Sequence, residues 1–153
     1  MTALTDDELR RLYRESSTIA VVGCSTSWPK PPAVVPAYMQ SSGYRILPVN
    51  PNEAEILGEP CVASLADVSE AVDIVNVFRP AAEAPALARA AVDLGATSLW
   101  LQTGIRSDEA RGIAEAGGLV FVEDNCIGIS HGELGLGPGV AAWKAAEEAG
   151  RSA

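Results

Sequence analysis

Residues Thr18-Ile19-Ala20-Val21-Val22-Gly23-Cys24-Ser25-Thr26-Ser27-Trp28 decide the reading of this chain. An apolar, β-branched run stops at a glycine and a polar loop follows, the pattern of a buried strand that feeds a ligand-type loop. Four further runs repeat it. Arg45–Val49 ends in Asn50-Pro51-Asn52, Asp73–Phe78 in Arg79-Pro80, and Ser98–Gln102 in Thr103-Gly104; Leu119–Glu123 is the last. Helical segments separate the runs. The spacing predicts helices over Asp6–Glu15, Ala33–Ser42, Ala81–Leu94 and Asp108–Ala116. Thr5 and Glu8 form a capping-box pattern for the first, and Pro36 is expected in the first turn of the second. Gly43, Gly95 and Gly117 suit helix ends. Ser64–Asp67 opens a short helix, and the segment from Gly128 to Gly139 is expected to wander over the surface before a helix near Ala141–Ala149. Strands alternating with helices predict an α/β fold with right-handed crossovers. The expected architecture is a Rossmann-like three-layer sandwich around a five-stranded parallel sheet, in strand order 3-2-1-4-5. The loops after the strands then share one edge, where ligands bind.

The 153 residues suit a single domain, 1–153, with a core at about 16–130 and the first helix and C-terminal tail as extensions. A hydrophobic content of 48% fits an α/β core. Net charge is −9, and Lys30 and Lys144 are the only lysines, which disfavours nucleic acid and anionic membrane surfaces. No apolar run is long enough to span a bilayer. Met1-Thr2-Ala3-Leu4 leads straight into Asp6-Asp7-Glu8, so no signal peptide is read and a cytoplasmic location is expected. Cys24, Cys61 and Cys126 lie far apart, without CxxC spacing, and His131 is the only histidine. Neither a disulfide framework nor a structural metal site is expected.

A glycine between a strand and a helix can cradle phosphate on backbone N–H groups and the helix dipole. Gly23 keeps the first glycine of a dinucleotide fingerprint, but Ser25 and Trp28 stand at the second and third. The second strand ends in Pro48-Val49-Asn50-Pro51, with no carboxylate before Glu53 to hold ribose hydroxyls. Both features argue against NAD.

Gly23-Cys24-Ser25, Gly43-Tyr44, Pro48-Val49-Asn50-Pro51, Gly58, Ser64-Leu65, Asp73, Val77-Phe78-Arg79, Trp100-Leu101-Gln102-Thr103-Gly104 and Glu123-Asp124-Asn125-Cys126-Ile127 occur in that order. With this set the chain resembles the small stand-alone CoA-binding protein family, which is similar to the CoA-binding domain of the succinyl-CoA synthetase alpha subunit. The resemblance implies a CoA or acyl-CoA cofactor and no established reaction. It places Gly23, Cys24, Ser25, Thr26 and Ser27 at the diphosphate and Val49, Asn50 and Pro51 at the adenosine. Phe78, Arg79, Pro80, Gln102, Thr103 and Gly104 would line the rest of the groove.

The acidic chain needs local cations for CoA phosphates. Arg79, directly after the third strand, is the stronger candidate, and Lys30 the second. Asn50 is expected to bond the ligand. Trp28 either shields the ligand or packs over the first helix, and Trp100 belongs to the core. Cys126 stands where the CoA thiol can exchange with it, although a packing role is favoured. Cys24, too, is read first as a packing residue. His131 has no GxSxG elbow and takes a surface or structural role. With no catalytic set, the reading is a module that binds CoA or a short acyl-CoA in a groove at the strand ends, without a reaction of its own. The alternative is an NAD(P)-binding oxidoreductase or an acyl-CoA-processing enzyme. A homodimer or a regulatory protein partner is left open.

Overall fold

The computed structural model describes residues 3–152. The chain enters α1 (Asp6–Glu15) through a reciprocal cap. The Glu8 N–H donates to Thr5 Oγ1 at 3.1 Å and the Thr5 N–H to Glu8 Oε1 at 3.1 Å, so two otherwise orphan donors are satisfied. β1 (Thr18–Val22), α2 (Pro31–Ser41) and β2 (Arg45–Val49) follow. A small ribbon, β3 (Glu55–Ile56) with β4 (Glu59–Pro60), and a 3-10 turn at Leu65–Asp67 lead to β5 (Ile74–Val77). A 3-10 turn at Ala81–Glu83 runs into α3 (Ala84–Leu94). β6 (Ser98–Leu101), α4 (Asp108–Ala116), β7 (Val120–Val122), α5 (Ile127–Glu133) and α6 (Val140–Ser152) complete the order. No helix among the described residues is long and apolar enough to cross a membrane.

Five strands form a parallel sheet in the order β2-β1-β5-β6-β7. Counted over these five, the order is 2-1-3-4-5, where 3-2-1-4-5 was expected. β1 takes a partner on each side: Val22 lies opposite Val49 of β2 and opposite Val77 of β5. Asp73 pins the second pairing, because its carboxylate accepts the N–H groups of Ser17 and Thr18 at 2.8 and 3.0 Å. The outer edge of β2 receives only a bridge from Val62. The winding direction therefore reverses between β1 and β5, and that switch point is where ligands of such sheets bind.

Strand alternation sends Ile19, Val21, Ile74 and Trp100 to one face and Ala20, Val22, Val75, Val77, Leu99 and Leu101 to the other. The first set packs with Tyr13, Tyr38 and Ile127 from α1, α2 and α5; the second packs with alanines of α3 and α4. Trp100 is wholly buried, and its indole N–H donates to the Asn125 carbonyl at 2.7 Å, so the ring gains apolar burial without stranding a donor.

Three local expectations change. α2 begins at Pro31, so Pro36 lies inside the helix rather than in its first turn. A proline there leaves the Pro32 carbonyl without its helical donor, and the Ser25 N–H fills the gap at 3.1 Å. The helix expected from Ala81 starts as a 3-10 turn. The glycine-rich segment does not wander. It contains α5 and the entry to α6, and its glycines let backbones approach. A methyl group on Gly137 would stand 2.6 Å from Tyr38 Oη and 2.8 Å from His131 Cε1. His131 is buried there, with Nδ1 2.7 Å from Tyr38 Oη, so of the surface or structural place expected of it the buried one holds.

Candidate functional site

Gly23 closes β1 at the switch point with a φ of +85°, a conformation that favours glycine. A side chain there would also meet Phe78 O at 3.1 Å and Arg79 Cδ at 3.2 Å. Glycine thus lets the loop after β1 lie flush on the loop after β5. This crossing divides the carboxyl edge of the sheet. Gly23, Cys24, Ser25, Val49, Asn50, Pro51 and Arg79 border a polar cavity of about 460 Å³. Phe78, Gln102, Thr103 and Cys126 border an apolar cavity of about 440 Å³. Phe78 and Arg79 are consecutive, so one strand end contributes a ring to one space and a guanidinium to the other. Thr26, Ser27, Lys30, Pro80 and Gly104, also singled out from the sequence, border neither cavity.

Arg79 is not idle. It holds Glu83, one helical turn on, with Nη2–Oε2 at 2.7 Å and Nε 3.1 Å from the same oxygen. Glu83 borders the polar cavity as well. Both side chains are about half exposed, so such a pair is worth roughly 0.3–0.5 kcal/mol and a phosphate can displace it.

The loop amides are fewer than the sequence implied. Pro31 and Pro32 open α2 and have no N–H to offer. Ser25 donates to Pro32 O, Ser27 to Ser25 Oγ, Trp28 to Thr26 O and Lys30 to Ser27 O. Among the described residues, the Cys24 and Thr26 amides are the ones in this loop with no partner. The donors this edge leaves for an anion are these two amides and the Arg79 guanidinium, and of the three residues Cys24 and Arg79 border the polar cavity. Asn50 is also engaged. Its Nδ2 donates to Cys24 O at 2.9 Å, and its Oδ1 accepts the Asn52 N–H at 2.8 Å, an Asx turn that ties the β2 loop to the β1 loop. Each bond uses one of two positions on its atom, so one N–H and one lone pair of the Asn50 amide remain at the cavity wall.

Burial pushes the Cys24 thiol up to about 12, with Cys61 adding to the effect. Burial likewise raises the Cys126 thiol, against the N–H groups of Ile129 and Gly128 at the start of α5, which favour the thiolate. The neighbouring Glu123 and Asp124 are not the cause. Glu123 faces Arg111 at 3.4 Å, and Asp124 holds Arg106 at 2.8 Å. Asp124 is in turn kept below the usual carboxylate range, first by the Gly104 N–H and then by Arg106. Trp28 packs on α6 rather than on α1: its ring lies 6.1 Å from that of Trp143, and Arg151 sits 4.2 Å above it.

Sequence reasoning missed Glu83, Val35, Ile105, Ile129, Val140 and Lys144 as wall residues. Glu83 was within reach, four residues after Arg79 on a helical stretch. Val140 and Lys144 carried no local signal, because only the docking of α6 on α2 brings them to the cavity.

The family described as CoA binding domain matches residues 17–132. YneT, an uncharacterised protein of Bacillus subtilis (strain 168), is 36% identical over 124 residues, covering 81% of this chain and 92% of that one. The crystal structure of Prb, the PH1109 protein redesigned for binding, superposes with a TM-score of 0.85 at 30% identity, over 90% of this chain and 96% of that one. The Thermus thermophilus protein solved as cell-free ID.343 gives 0.82 at 38% identity, over 86% and 99%.

Proposed function

The chain belongs to the CoA binding domain family, and from that premise we propose that it binds CoA or a short acyl-CoA in a groove across the carboxyl ends of the parallel strands, with no reaction of its own. The observation that carries the reading is the pairing of two cavities of similar size on either side of Gly23, Phe78 and Arg79, one of mixed lining that holds the Arg79–Glu83 pair and one predominantly apolar. CoA has the same division: a charged head, adenosine with a 5′-diphosphate and a 3′-phosphate, and a long neutral arm. The head fits the polar side, with Arg79 and the free Cys24 amide toward phosphate. The arm fits the apolar side, toward Cys126. Gly23 permits the chain crossing that joins them.

The module reading also rests on what the reactive side chains already do. His131 is bonded to Tyr38, the Ser130 hydroxyl is bonded to Asn125 Oδ1, and both thiols are shifted upward. None forms a nucleophile–base pair. Calorimetric titration with CoA, acetyl-CoA, NAD, NADP and ATP tests the proposal. CoA and acetyl-CoA should bind, and the other nucleotides should bind far more weakly. Tight NAD binding with no response to CoA would falsify it.

A further inference from the structure

The apolar cavity has one deeply buried polar group in its wall. Gln102 is 4% exposed and follows β6 at the edge of the sheet. Asn76, in β5, is 1% exposed. Asn76 pairs with Trp100 across the β5–β6 ladder, and Gln102 comes two residues later, so strand alternation puts Asn76 and Gln102 on the same face. Gln102 Nε2 donates to Asn76 Oδ1. A buried amide pair in a sheet otherwise lined with Ile, Val and Trp costs desolvation that an apolar pair would avoid. The bond uses one of the two Gln102 N–H groups and leaves Oε1 with no partner among the described residues. The described side-chain polar atoms that are both enclosed and unpartnered are Ser98 Oγ and Glu115 Oε1. Gln102 Oε1 therefore keeps access to open space, and the space that Gln102 borders is the apolar cavity. With the NH2 group turned to Asn76, the oxygen is the atom presented.

We propose that Gln102 is the specificity-determining residue of the apolar cavity: its Oε1 accepts an amide N–H from the neutral arm of the ligand, and Asn76 is the positioning residue that fixes its orientation. The proposal rests on the CoA reading and deepens it, because the pantetheine arm carries two secondary amides. Val35, Phe78, Ile129 and Val140 line the cavity beside Gln102, with Thr103 and Lys144 as its other polar side chains, so an arm without an N–H leaves the Gln102 oxygen unpaired and binds less well.

The test is titration of four ligands: CoA, the two CoA analogues in which one or the other arm amide is an ester, and adenosine 3′,5′-bisphosphate, which has no arm. The wild-type protein should prefer CoA over one of the ester analogues by about tenfold, the size of one neutral hydrogen bond. Gln102→Leu should abolish that preference while binding the bisphosphate as the wild type does. Because Gln102→Leu strands Asn76, the double variant Asn76→Val/Gln102→Leu, with both partners apolar, is measured alongside and should show the same lost preference. A CoA-binding Gln102→Leu protein, or double variant, that keeps the preference overturns this inference alone. So does a parallel loss of CoA and bisphosphate affinity. Absence of CoA binding by the wild-type protein overturns the CoA reading and this inference with it.

Discussion

Arg79 is the cation of the polar cavity, and Glu83 competes for it. Replacing Arg79 with Ala should weaken CoA binding by about 1.5–3 kcal/mol, the worth of a charge-assisted contact. Titration with CoA and dephospho-CoA locates the contact. A larger loss for CoA assigns the guanidinium to the 3′-phosphate, and equal losses assign it to the diphosphate. No loss with either ligand would reduce Arg79 to a surface partner of Glu83. Glu83→Gln should act the other way and tighten binding, by freeing Arg79 and removing a negative charge from the cavity. Salt should weaken binding to the wild type. The cavity positions of Gly23 and Arg79 were legible because Gly23 follows β1 directly and Arg79 comes two residues after β5, and a strand end in a parallel sheet has a known address. The brace made by Asn50 was not legible, since its partner carbonyl belongs to Cys24, 26 residues away.

Elements announced themselves wherever their signals are local. α1 and α4 run over the ranges expected, each with an N-cap side chain that accepts a first-turn N–H: Thr5 from Glu8 and Ser107 from Ala110. α5 did not, because Gly128 and Gly132 lower its helix propensity and serve packing instead. A methyl group on Gly132 would overlap Gly139 Cα and lie 3.0 Å from Gly139 N, and a backbone cannot rotate away as a side chain can. Gly132→Ala should therefore destabilise the protein by about 1–3 kcal/mol in urea unfolding. Gly112 is the control. It lies inside α4, and a methyl group added there would find nothing within 4 Å, so Gly112→Ala should stabilise by up to about 1 kcal/mol. Similar losses at the two sites would refute the packing account of α5 and α6.

The aromatic cluster around His131 couples the whole molecule to pH. Its ring lies 5.4 Å from those of Tyr13 and Tyr38 and 6.1 Å from that of Tyr44, and burial lowers its pKa from 6.5. Well above pH 6.5 both folded and unfolded states hold the imidazole neutral. Below it the unfolded chain binds the proton first, so stability falls as the pH drops, until the buried ring itself protonates. Paired carboxylates such as Glu70 and Asp124 are shifted below 4.5 and 3.8, so their contribution is lost only at lower pH. Urea midpoints measured between about pH 7.5 and 5.5 should decline for the wild type and stay level for His131→Asn. Equal slopes would acquit His131.

The sequence by itself determined the alternation of strands and helices, the parallel sheet, the edge at which the loops collect and the family to which those loops belong. The first three follow from periodicity, caps and turn residues, which act over a few positions; the family follows from the resemblance of the ordered loop motifs along the chain. Tertiary structure alone decided the strand order, because every buried strand presents the same kind of hydrogen-bonding edge and only packing and the Asp73 clasp choose between neighbours. It alone decided that α2 opens on Pro31 and Pro32, which have no N–H to offer, that Asn50 braces the loop after β1, and that α6 walls the apolar cavity. Those outcomes depend on groups far apart in the chain that meet only after the sheet has formed.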